Sequence, residues 1–253
     1  MVFSSSKENP FRRAVVQIVD TVLPPQSLVT GDLRDAGTDG DIWSGLNFLD
    51  EPCCQHCGFP FEFDQGPDIL CGRCVVKLPA YDMARAAFQY DDASRSMILG
   101  FKHGGRTEGL MTFAAHMRRA GRIFLPNADY LVPVPLHYSR RLKRRYNQSA
   151  LLARALSRIS RPQFDPDSFM RRRATPPQGG KSAVGRRRNV QGAFTVKEQY
   201  KSRIEGAHIV LIDDVMTTGA TLESCARTLK RAGAKRVDAL ALARVVKVAP
   251  IPK

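Results

Sequence analysis

The sequence predicts an α/β protein, a parallel sheet flanked by helices, with a small cysteine-bearing unit ahead of it. Three observations carry this. From residue 129 onward, short β-branched apolar runs alternate with helical patterns, which is how a parallel sheet covered on both faces reads. Five of the six cysteines, Cys53, Cys54, Cys57, Cys71 and Cys74, fall in one short window. Charge is divided in the same way: residues 1–80 carry 6 basic and 11 acidic side chains, a net −5, whereas residues 81–253 carry 33 and 13, a net +20. The whole chain of 253 residues is therefore +15, an excess that favours anionic partners.

With 43% apolar and 25% charged residues the chain can bury an ordinary core, which excludes fibrous and low-complexity classes. No run approaches the roughly 18 to 20 apolar residues of a membrane helix. Residues 1–10 lack the basic and apolar regions of a secretory leader, so a cytoplasmic address without membrane insertion is expected.

Taken in order, Phe11, Val15, Ile18, Val19 and Val22 recur at helical spacing before Pro24-Pro25, so residues 10–23 read as an amphipathic helix. Residues 27–52 are rich in Gly, Asp and Thr, with Trp43, Leu46, Phe48 and Leu49 as anchors, and read as irregular. After the cysteine window, residues 86–90 read as a strand, 92–101 and 110–123 as helices, and 130–134 as a short buried strand. A helix over 147–159, a strand over 208–212, a helix over 220–232 and a last strand over 237–246 complete the alternation. Residues 168–197 hold eight basic and no acidic side chains, with Pro176-Pro177, Gly179-Gly180 and Gly185 as breakers, the composition of a mobile loop. The expected organisation is an N-terminal helix and irregular segment over 1–50, a zinc ribbon over 51–80, and the α/β domain over 81–248.

Two motifs carry chemistry. Cys54-x2-Cys57 and Cys71-x2-Cys74 supply two knuckles, with Gly58 and Gly72 at the turns, so four thiolates can close a tetrahedral Zn2+ shell. Four protein ligands leave no open position, which makes the site structural. Cys53 leaves the register open, since Cys53-x3-Cys57 is also a workable pair, and His56 is a weaker substitute ligand. In the second motif the apolar run His208 to Ile212 ends in Asp213-Asp214, and the turn Thr217-Thr218-Gly219-Ala220-Thr221 opens directly onto a helix. A helix N-terminus with hydroxyl donors and a close-approach glycine suits a tetrahedral anion, and the paired carboxylates suit sugar hydroxyls. Cys225 follows at helical spacing and is expected in the core.

The Asp213 to Thr221 run resembles the phosphoribosyl-pyrophosphate signature of type I phosphoribosyltransferases. Together with the cysteine pairs, and with Cys57-Gly58-Phe59-Pro60-Phe61, Lys102-His103-Gly104-Gly105-Arg106, Val132-Pro133-Val134-Pro135-Leu136, Tyr146-Asn147-Gln148-Ser149 and Arg188-Asn189-Val190-Gln191-Gly192-Ala193-Phe194, it resembles the ComF family, named for competence for DNA uptake. The resemblance implies a type I phosphoribosyltransferase-like sheet. It implies that Asp213 and Asp214 bind ribose hydroxyls, and that Thr217, Thr218, Gly219, Ala220 and Thr221 hold the 5-phosphate. Val134, Pro135 and Lys102 would face the pyrophosphate, and Arg186 would sit on a cationic lid over it. Mg2+ would enter with the donor, phosphoribosyl pyrophosphate. Where many members carry a further Cys-x-x-Cys-Gly, this chain has Ser27-Leu28-Val29-Thr30-Gly31, so the resemblance implies a degenerate ribbon segment within residues 1–50 and one zinc rather than two.

Two functions follow. One is phosphoribosyl transfer to a nitrogen acceptor that the sequence does not identify. The other is a single-stranded-DNA-binding accessory protein of the DNA-uptake machinery, which uses the site as a nucleotide sensor. Arg140, Arg141, Lys143, Arg144 and Arg145 serve either reading. With only 8% aromatic residues, few rings interleave the basic runs, so DNA contacts would be mainly to phosphates.

Overall fold

The computed structural model describes residues 45–103, 109–136, 147–172 and 192–246. Expectations placed on residues 10–23, the Ser27 to Thr30 run, the basic run at 140–145 and Arg186 lie outside these residues.

The elements are α1 (Gly72–Val76), β1 (Ala84–Gln89), α2 (Asp92–His103), α3 (Leu110–Ala120), β2 (Tyr130–Pro133), α4 (Gln148–Ser157) and β3 (Gln163–Phe164). They are followed by β4 (Phe169–Arg171), β5 (Phe194–Val196), α5 (Lys201–Ile204), β6 (His208–Met216), α6 (Ala220–Arg231) and β7 (Arg236–Arg244). Five strands form one parallel sheet in the order β1-β7-β6-β2-β3. The central strands are the most apolar because both of their faces are covered. Ile209 and Leu211 of β6 pack with Leu222, Cys225, Ala226 and Leu229 of α6. Val210 and Ile212, on the opposite face, pack with Phe113 and Met117 of α3 and Leu152 and Leu156 of α4. Ala84, Ala86, Ala239 and Ala241 share the α6 face, and the cysteine segment joins the same core through buried Cys54, Cys57 and Cys74.

The chain moves outward from β1 to β2 and β3, then returns to β6 and β7 on the other side of β2. Consequently α4, after β2, and α6, after β6, lie on opposite faces and begin on either side of the β2/β6 seam. This is the switch point at which open α/β sheets form a crevice.

Three expectations are corrected. The strand expected over 208–212 continues to Met216, because Asp213, Val215 and Met216 stay paired with Ala241, Ala243 and Arg244 of β7. The span 168–197 is not loop throughout: Phe169, Met170 and Arg171 pair antiparallel with Val196, Thr195 and Phe194, and the Phe169 and Phe194 rings stack at 5.7 Å. Residues 45–50 carry no helix or strand, as expected, and Phe48 makes one isolated bridge to Phe88, ring edge to ring face at 88°. Helix α3 ends at Ala120 rather than near 123, where the Gly121 N–H donates to the Met117 carbonyl and the chain turns into a 3-10 segment, Leu125–Asn127. Among the described residues no helix is long and apolar enough to cross a membrane.

Leu211 is fully buried on the central strand. Leu211→Ala should lower unfolding free energy by about 2 to 5 kcal/mol, the cost of the lost contacts plus an unfilled cavity. Urea denaturation checks this; a loss below about 1 kcal/mol would mean that the α6 face is not the closely packed core described.

Candidate functional site

The seam between β2 and β6 opens because β2 stops first. Pro133 pairs with Ile212, and the Val134 N–H makes one more bond to the Ile212 carbonyl at 2.9 Å. The next residue, Pro135, has no N–H with which to continue the ladder. β6 runs on, paired to β7 alone, and presents Asp213, Asp214 and Val215 half-buried at the edge of a cleft of about 320 Å³.

The turn after β6 is shaped by Gly219, in the left-handed region at φ 71°. A Cβ there would lie 3.0 Å from Met216 Cε, so glycine answers both the backbone angle and the close packing. The Gly219 carbonyl accepts the first helical bond of α6, from Glu223 N–H at 2.8 Å. Thr218 Oγ1 accepts from Ala220 N–H at 3.4 Å, and the Thr218 carbonyl accepts from Arg73 Nη2 at 2.5 Å. On the other wall, Asn147 caps α4 by accepting from Ser149 N–H, and its amide donates to the Val134 carbonyl at 3.1 Å. Ser149 Oγ donates to Asp213 Oδ1 at 3.2 Å, and Asp214 N–H donates to the same oxygen at 3.0 Å. The positive ends of two helices therefore meet two carboxylates in one cleft, an arrangement suited to a ligand that carries both phosphate and hydroxyl groups.

Of the residues expected at the site, Asp213, Asp214, Thr217, Gly219, Ala220, Thr221, Val134 and Pro135 all line this cleft. Thr218 does not line it; its hydroxyl and carbonyl turn to Ala220 and Arg73. Lys102 lies on α2, with no side-chain placement described. Wall residues not expected at the site include Tyr90, Asn147, Gln148, Ser149 and Arg171. Gln148 and Ser149 belong to the Tyr146-Asn147-Gln148-Ser149 motif, and Asn147 is a readable helix cap, but their approach to Asp213 depends on the β2/β6 pairing.

The second centre is the cysteine cluster. The ligand atoms of Cys54, Cys57, Cys71 and Cys74 all lie within 4.8 Å of one another, and Cys57 Sγ is 3.6 Å from Cys71 Sγ. A tetrahedral shell with metal–sulfur bonds of about 2.3 Å has edges of about 3.8 Å, so the donor set fits a soft four-coordinate ion. Backbone N–H groups of Cys57 and Cys71 donate to Cys54 Sγ at 3.5 and 3.3 Å. The Cys57 thiol, donating to Cys54, brings Cys54 down to about 4 against the effect of burial. Cys57 is correspondingly pushed up, and burial raises Cys74 to about 12. Arg244 donates to the Cys57 carbonyl and approaches Cys57 Sγ at 3.6 Å, placing a cation against four sulfurs whose charge exceeds that of a divalent ion. Cys53 instead forms a bridge with Pro60, and His56 stacks on Tyr81 at 5.5 Å, so neither joins the cluster. Cys225 is fully buried in α6, where burial holds its thiol protonated.

Residues 82–247 match the family model described as phosphoribosyl transferase domain. The DNA utilization protein YhgH of Escherichia coli (strain K12) is 34% identical over 212 residues, covering 81% of this chain and 89% of that protein. Competence protein F of Haemophilus influenzae is 31% identical over 201 residues, with 76% and 85% covered. Competence protein ComFC of Bacillus subtilis is 31% identical over 187 residues, with 71% and 72% covered.

The cluster assigns the ligands, which the spacing alone left open. Cys54→Ser should reduce bound zinc from about one equivalent to well below half, while Cys53→Ser should leave it unchanged. Elemental analysis of the purified variants decides; equal loss in both would return Cys53 to the ligand set.

Proposed function

This chain belongs to the phosphoribosyl transferase domain family, in its ComF/YhgH branch, and on that basis we propose that its cleft binds Mg2+-phosphoribosyl pyrophosphate and transfers or recognises the phosphoribosyl group in DNA uptake or utilisation. The observation that carries this is the meeting of Asp213 and Asp214 with the Thr217 to Thr221 turn where β6 outruns β2.

In this reading the turn and the first amides of α6 hold the 5-phosphate. Asp213 and Asp214 accept hydrogen bonds from the ribose hydroxyls, and their charge favours the cationic sugar that develops as the bond to pyrophosphate lengthens. Ser149 restrains the Asp213 carboxyl, so the acceptor oxygens are oriented before the sugar arrives. Val134, Pro135 and the N-terminus of α4 face the pyrophosphate. Arg171, on the cleft wall at the base of the cationic segment, brings positive charge to the same side, and we assign Lys102 and Arg186 to that role as well. Mg2+, held mainly by donor oxygens and water beside the paired carboxylates, would neutralise leaving-group charge. The cysteine cluster is assigned a structural zinc, since four thiolates leave no position for a reacting ligand.

A second reading rests on the net +20 of residues 81–253 and on the DNA-utilisation and competence roles for which the relatives are named: the chain also holds single-stranded DNA through phosphate contacts. The two readings separate in one variant. Asp213→Asn combined with Asp214→Asn should weaken donor binding by at least about 100-fold, because two charge-assisted contacts are lost. Salt-dependent DNA affinity should stay nearly intact. Calorimetric titration of the donor and fluorescence titration of a labelled oligonucleotide give the two numbers; unchanged donor affinity contradicts the acidic-pair assignment. Donor-dependent pyrophosphate release across nitrogenous acceptors would establish transfer, and its absence with intact donor binding would favour recognition alone.

A further inference from the structure

We propose that the cysteine centre is a positioning device for the phosphate turn, with Arg73 as the link between them. This rests on the donor reading of the cleft. Arg73 lies between two cluster residues, Cys71 and Cys74, so its backbone is held by whatever holds their sulfurs. Its guanidinium reaches 145 positions along the chain to the Thr218 carbonyl, at 2.5 Å. That carbonyl belongs to the residue whose hydroxyl accepts from Ala220 N–H, at the mouth of α6.

Two further contacts tie the same parts together. Tyr81, buried and stacked on His56 of the first knuckle, places its hydroxyl 3.5 Å from where a Gly219 Cβ would stand. Arg244, bonded to the Cys57 carbonyl, is the strand partner of Met216, whose methyl closes the other side of Gly219. The turn is thus held from below by residues that the cluster organises. A metal-filled cluster fixes Arg73, Arg73 fixes the Thr218 carbonyl, and the amides of the turn are presented in one arrangement to the sugar phosphate.

Coupling of this kind is reciprocal: if filling the cluster tightens donor binding, the bound donor must tighten metal retention by the same factor. The full zinc-loaded chain allows both to be measured, as the dissociation constant for Mg2+-phosphoribosyl pyrophosphate and as the zinc dissociation constant, read by equilibrium competition with a chromogenic chelator with and without the donor. Saturating donor should tighten zinc binding by the wild-type chain by about 3- to 10-fold, the scale of one solvent-exposed hydrogen bond. Arg73→Ala should keep its zinc content, weaken donor binding by a similar factor, and show a zinc affinity that no longer responds to donor. Arg73→Lys, which retains a cationic donor, should recover part of both effects. Donor binding to the wild-type chain without a tighter zinc dissociation constant overturns this proposal alone, as does an Arg73→Ala variant that behaves as wild type. Absence of donor binding to the wild-type chain overturns the donor reading first, and this proposal with it.

Discussion

Everything in the cleft depends on β6 continuing after β2 has left it. The last ladder bond on that side is Val134 N–H to the Ile212 carbonyl, and Pro135 then supplies no donor. Paired beyond this point to β7 alone, β6 carries Asp213 and Asp214 out on a rigid support rather than on a loop. Catalytic and binding groups gain from such support because position, once fixed by a ladder, need not be reset on each encounter. The helices that follow β2 and β6 start on opposite sides of the opening, so their amide ends converge there. One topological fact, the reversal of strand order at β2/β6, thus places acceptors and donors within reach of one ligand.

The same sheet face carries the cysteine cluster. Cys54, Cys57 and Cys74 are part of the core that contains Ile209, Leu211 and Leu222, and Gly58 approaches β1 so closely that a Cβ would come 2.5 Å from the Ala84 carbonyl. A short segment with little apolar surface gains its order from its ligands and from what it packs on. Here it packs on the sheet beside the turn at residues 217–221, where Arg73 donates to the Thr218 carbonyl and Arg244 approaches the Cys57 sulfur.

Much of this was legible in the sequence. Buried parallel strands read as continuous apolar runs, so β2, β6 and β7 were visible with their helices, and the Thr217 to Thr221 turn stood out because hydroxyls and glycine follow such a run. The extension of β6 was not legible, since Asp213 and Asp214 are poor strand formers and only the partner β7 keeps them extended. The β4/β5 pair escaped for a related reason: each strand is three residues long and its partner is remote in sequence. Cysteine spacing left Cys53 and Cys54 as alternatives until the bridge between Cys53 and Pro60 turned Cys53 away from the cluster. Ser149 stood in the Tyr146-Asn147-Gln148-Ser149 motif, but its bond to Asp213 exists only after two strands have paired.

The central claim is that the fork between β2 and β6 is a sugar-phosphate site, and the most direct measurement is a crystal structure of the full chain with Mg2+ and phosphoribosyl pyrophosphate. The account predicts the 5-phosphate within hydrogen-bonding distance of the turn at residues 217–221, and the ribose hydroxyls on Asp213 and Asp214. A donor bound away from the fork, or one that leaves both carboxylates uncontacted, would contradict it.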